Sequence, residues 1–116
     1  MSKKICLSAD QIKPLAMAVG ECIVTEKITA QGLPVRFMYR EAPIFPKDSG
    51  WRFLSGLESD EYMENAKNQG VHDVNLVANI DPAVIPHLSE PVGAAFERLS
   101  ADEPFEPAGD WEPDED

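Results

Sequence analysis

The stretch that most constrains the fold is Pro34-Val-Arg-Phe-Met-Tyr-Arg-Glu41, in which Val35, Phe37 and Tyr39 alternate with Arg36, Met38 and Arg40. Successive side chains of a strand point to opposite sides of a sheet, so this period of two demands a strand with two distinct faces. Gly32-Leu33-Pro34 punctuates its entry. Pro43 and Pro46 mark the loop beyond it, because proline has no N–H to give to a central ladder. The next apolar run, Trp51-Arg-Phe-Leu-Ser55, repeats the alternation between Gly50 and Gly56. Half-buried strands of this kind bury an apolar face against another layer. Phe37, Tyr39, Trp51 and Phe53 are expected on the packed face, with Trp51 and Phe53 in structural roles.

Glu21–Thr25 and Val92–Arg98 read as two further strands. Between the strands lie signals for short helices. Leu7-Ser-Ala-Asp-Gln-Ile12 has the form of a capping box with a hydrophobic staple, and Pro14 limits the helix that it starts. Ser59 or Asp60 can cap a helix through Tyr62 and Ala66 that ends near Gly70. Residues 73–80 fit an alternation (Val74, Leu76, Ala78, Ile80) and also a helical stripe (Leu76, Val77, Ile80), and we read them as helix. Asp81 and Pro82 are structural: an aspartate cap followed by proline at the first helical position, with Pro86 keeping the helix short. The expected fold class is α+β, a single domain over residues 1–99 with a mainly antiparallel sheet and short helices packed on one face.

The formal charge of −11 is concentrated at one end. Residues 100–116 hold eight acids and no base, with Pro104, Pro107 and Pro113 among them. An acidic, proline-rich segment buries too little apolar surface to offset ordering, so a mobile tail is expected there. Phe105 and Trp111 are its two side chains able to dock. No cluster of Lys and Arg is available to displace phosphate counterions, and nucleic acid is not an expected partner. Cys6 and Cys22 make no disulfide framework and no metal-ligand spacing, so both read as small buried hydrophobes. The first residues form no secretory segment, and no stretch approaches the roughly 20 apolar residues of a membrane span. A cytoplasmic location without a membrane partner is expected.

Chemistry concentrates in DSGWRFLSGLESDEYMEN, residues 48–65. Ser49, Ser55, the cysteines, His72 and His87 carry no nucleophile signature. The calcium-loop spacing and a phosphate-cradling glycine loop are both missing. No catalytic residue, metal or cofactor is expected. Tyrosine among charges is instead typical of protein interfaces. Asp48, Glu58, Asp60, Glu61 and Tyr62 are the candidate partner-binding residues.

MYREAP (38–43), DSGWRFLSG (48–56), EYMEN (61–65), ANIDP (78–82), IPHL (85–88) and VGAAFER (92–98) follow one another in this order. Over about residues 20–98 the chain resembles the immunity-protein-thirty-three-like family, a bacterial domain of unknown function grouped with immunity proteins of polymorphic toxin systems. The resemblance implies a small cytoplasmic antidote that binds a toxin protein and blocks it, and it carries over no catalytic residue. An acidic antidote suits a toxin with a basic active site, such as a nuclease, since opposite fields speed encounter. Two alternatives stand beside it: a general binding module for a protein or small ligand, and a hydrolase using Asp48, Glu58 or Asp60.

Overall fold

A computed structural model describes residues 5–108. These residues form a sheet of six strands, β1 (Glu21–Thr25), β2 (Phe37–Arg40), β3 (Asp48–Leu54), β4 (Gln69–Asp73), β5 (Ala95–Glu97) and β6 (Glu106–Pro107), in the spatial order β4-β1-β3-β2-β5-β6. All neighbouring pairs are antiparallel except β1 and β3. The α-helices are α1 (Glu26–Thr29), α2 (Asp60–Glu64) and α3 (Val74–Ile80), with 3-10 turns at Ala9–Gln11, Ala66–Asn68 and Pro82–His87. The protein is thus an α+β domain.

The parallel pair comes from the route of the chain. After β1 and α1 the chain passes to β2, and the β2–β3 hairpin then returns β3 into the gap between β2 and β1. As the central strand, β3 is buried along nearly its whole length, from Asp48 to Phe53. Gly50 lies within it at φ +91°, and a Cβ there would stand 2.2 Å from the Glu41 carbonyl oxygen. Only glycine tolerates both that conformation and that approach.

The alternation of β2 holds, but its faces are assigned the other way round. Register pairs Met38 with Phe53 on one side and with Phe96 on the other, so Met38 is the residue that enters the core. Phe37 lies opposite Leu54 and Tyr39 opposite Arg52, on the second face, where both aromatics are half-buried. Two aromatics outweigh one methionine in hydrophobicity, but register follows the Trp51 and Phe53 pair of the central strand. Met38 fills the space beside them.

The dry face carries Cys22, Val24, Met38, Trp51, Phe53 and Phe96, and against it pack Ile28 of α1, Val74, Val77 and Ala78 of α3, and Val84 and Leu88 of the Pro82–His87 region. Asp81 begins that last turn by accepting the Ala83 amide at 3.2 Å. The same carboxylate accepts the Val35 amide at 2.9 Å and pairs with the guanidinium of Arg98. One side chain therefore joins the 3-10 turn, the approach to β2 and the end of β5.

Two elements depart from the expected pattern. The helix after Ser59 stops at Glu64, where Asn65 turns extended and accepts the Lys67 amide, and Gln69–Asp73 then forms an edge strand instead of a helix end. Gly70 and His72 on one side of it leave no apolar alternation to read. The segment from Ser100, expected to be mobile, continues the fold as far as β6. Arg98 donates to the carbonyls of Ala101 and Glu103 at 3.3 and 3.4 Å, and Phe105 is buried with its ring 4.3 Å from the Arg98 guanidinium carbon. The loop closes around a buried cation, a need that composition does not reveal. Trp111 lies outside the described residues. Removing residues 101–116 is therefore expected to lower the melting temperature by several degrees, since loss of the buried Phe105 ring alone costs about 1.5–3 kcal/mol. A thermal melt of the truncated chain checks this.

Candidate protein-binding site

The five candidate residues divide into a framework and a surface. Asp48 belongs to the framework. Its carboxylate receives two bonds from the Arg52 guanidinium at 2.9 and 2.8 Å, and one each from the amides of Ile44 (2.9 Å) and Gly50 (2.8 Å). Its side chain is 0% exposed. Glu41 completes the cluster through a 2.6 Å contact with Arg52 Nε. Burial alone would raise the Asp48 pKa, but the guanidinium and the two amides outweigh it and hold the carboxyl at about 2.

The depressed value makes stability depend on pH. A carboxyl with a lower pKa in the folded state adds stability above its unfolded pKa and loses that stability as pH falls through the folded one. Between about pH 4 and pH 2, protonation of Asp48 is expected to remove about 2 kcal/mol. Urea melts across this range, with an Asp48→Asn variant showing a flatter dependence, check the assignment.

Glu58 is also occupied. Its Oε2 accepts the Thr25 hydroxyl at 2.6 Å, the Ser55 amide at 2.8 Å and the Ser55 hydroxyl at 2.9 Å, and its Oε1 accepts the Gly56 amide at 2.9 Å. Burial opposes its ionised form, yet these bonds leave its pKa below the ordinary glutamate value. Glu58 thus closes the 55–58 turn over the second face of the sheet at Thr25.

Asp60 and Glu61 are different: both are exposed in the first turn of α2. Ser59 accepts the Tyr62 amide at 3.0 Å and fixes this helix start. Tyr62 is half-buried, with its hydroxyl donating to the Asn68 carbonyl at 3.3 Å and the Lys27 ammonium 4.8 Å from its ring centre. Ser59, Glu61, Tyr62, Glu64, Asn65 and Asn68 line an open concavity of about 700 Å³. Glu64, Asn65 and Asn68 were not among the expected residues. Asn65 and Asn68 are fixed by local bonds to Lys67 and Tyr62, a pattern visible in sequence only as two asparagines three residues apart.

Ser49, Ser55 and Cys22 are taken up structurally, whereas Cys6, expected to be a buried hydrophobe, is exposed. Ser49 Oγ accepts the Trp51 amide at 3.2 Å, Ser55 Oγ binds Glu58, and Cys22 is fully buried, with desolvation pushing its thiol pKa far up. Among the described residues no group of three or more His, Cys, Asp or Glu could hold a metal ion. No helix among them is long and apolar enough to cross a membrane.

The model of the immunity protein Imm33 domain matches residues 22–108. The chain belongs to the Imm33 domain family. The match begins within β1 and ends just beyond β6, so it includes the loop around Arg98 and Phe105 that composition alone assigns to the tail. No curated protein and no solved structure matches the chain.

Proposed function

We propose that this Imm33 protein neutralises a cognate bacterial toxin by binding it stoichiometrically, with the acidic surface of α2 in the interface. The observation that carries the reading is the division among the acids of residues 48–64. Asp48 and Glu58 are consumed by internal bonds, whereas Asp60, Glu61 and Glu64 stand exposed on a helix that contributes no buried residue to the core. Acids at a helix start favour the local dipole, but that does not require all three, nor the half-buried tyrosine beside a concavity. Loops and short elements fixed on a rigid sheet are where binding residues concentrate. A toxin with a basic active site, such as a nuclease, is the target this surface fits. Electrostatic complementarity would speed encounter and fix orientation.

An Asp60→Lys, Glu61→Lys, Glu64→Lys variant is expected to fold normally. It should associate with the toxin encoded in the adjacent reading frame at least about tenfold more slowly at low salt, with the difference shrinking at high salt. Stopped-flow association at two ionic strengths measures it. Equal rates for variant and parent at both would place the interface elsewhere.

A further inference from the structure

The two edges of the sheet are finished differently. β6 is two residues long and ends in Pro107, a short edge closed by a residue that cannot donate. β4 is five residues long, pairs with β1 in unbroken register, and contains no proline, lysine or bulge. The Val74 amide donates to the Gly20 carbonyl at 2.9 Å, which continues the ladder and makes His72 with Cys22 and Gly70 with Val24 the hydrogen-bonded pairs. Gln69, Val71 and Asp73 consequently turn their backbone groups away from β1. The Gln69 amide is taken by the Ala66 carbonyl. The groups left facing outward are the Gln69 carbonyl, both groups of Val71 and the Asp73 amide.

The side chains beside this edge are specific too. Val71 is 50% exposed, and Ile23, Ala66, Gln69, Gly70 and Val71 line an apolar hollow of about 250 Å³. Two residues on, Asp73, whose Oδ1 caps α3 by accepting the Asn75 amide at 2.8 Å, lies directly opposite Glu21 in a like-charge cross-strand pair that a cation would relieve. An apolar seat and a pair of carboxylates thus lie two residues apart on one face.

We infer that β4 is a docking edge for an extended segment of a protein partner, added as a further strand, with an apolar residue opposite Val71 and a lysine or arginine opposite Asp73. Backbone bonds to the outward groups would supply affinity, and the alternating pockets would supply specificity. A second copy of this chain is disfavoured as occupant, because it would bring Asp73 and the rest of a −11 chain against the same carboxylates. The identity of the partner as a toxin rests on the reading above, whereas the edge itself does not.

The test uses the full chain and three peptides. These are acetyl-Lys-Thr-Val-Thr-Lys-amide, the same peptide N-methylated at valine, and its counterpart with glutamates in place of the lysines. Amide NMR titration is expected to show millimolar binding of the first peptide, with shifts centred on Val71 and Asp73 and at least about tenfold loss for each of the other two. Val71→Pro, which removes an outward donor and leaves the β1 ladder intact, should abolish the effect. Should that variant fail to fold, the methylated peptide carries the same comparison. Equal binding of methylated and unmethylated peptides, shifts centred elsewhere, or no binding at several millimolar would overturn the proposal. So would a dimer of the free chain that Val71→Pro dissolves. Toxin neutralisation that survives in a folded Val71→Pro variant would overturn the edge as the toxin's site and leave the stoichiometric reading standing.

Discussion

Asp48→Ala is expected to destabilise the fold by about 3–5 kcal/mol, because it strands a buried cation. Arg52 is 3% exposed, and besides its 3.0 Å bond to the Trp51 carbonyl it would keep one carboxylate, that of Glu41, whose own side chain is 39% exposed. The same change orphans the amides of Ile44 and Gly50, which Asp48 now satisfies, and unpaired buried donors add to the cost. Urea denaturation should show a lower midpoint with an unchanged slope. The folded fraction should bind its partner as the parent does, since the carboxylate is out of reach of any partner. A stable Asp48→Ala protein with weakened binding would return this residue to the interface.

Trp51→Ala is expected to cost about 3–5 kcal/mol, as for other buried aromatics. Trp51 is fully buried at the centre of the dry face, with the Phe53 ring centre 6.1 Å away and the Arg40 guanidinium carbon 5.6 Å from its own. Its indole N–H donates to the Leu88 carbonyl at 3.2 Å, tying the 3-10 turn to the sheet. Trp51→Phe keeps most of the apolar volume and loses that bond, so about 1–3 kcal/mol is expected for it. A Trp51→Phe loss as large as that of Trp51→Ala would show that the indole bond, not packing, dominates.

The fold class was legible where the signal was local. Alternation marked β2 and β3, apolar runs between turn residues marked β1 and β5, and the Asp81-Pro82 pair marked the start of the last helical turn. The buried face of β3 was legible from Trp51 and Phe53, but that of β2 was not, because the face that a strand buries depends on its register with a neighbour. Phe37 and Tyr39 outweigh Met38 in any count along the chain, yet Met38 lies opposite Phe53. Tertiary charge was equally invisible. That Arg98 would be buried, and would draw residues 101–105 around itself, depends on Asp81 standing beside it. Among the candidate site residues, the sequence located the region and could not divide it. Asp48, Glu58, Asp60 and Glu61 are chemically alike, and only the guanidinium near the first and the hydroxyls near the second separate framework from surface.

Stoichiometric neutralisation is measured by titrating a fixed amount of the toxin's catalytic domain with the purified protein and following toxin activity. Inhibition is expected to rise linearly to completion at a fixed molar ratio, to appear within the time of association, and to reverse when the complex is dissociated and the toxin refolded alone. Complete loss of toxin activity at a small fraction of one equivalent, growing with time, would contradict it and identify an enzyme instead.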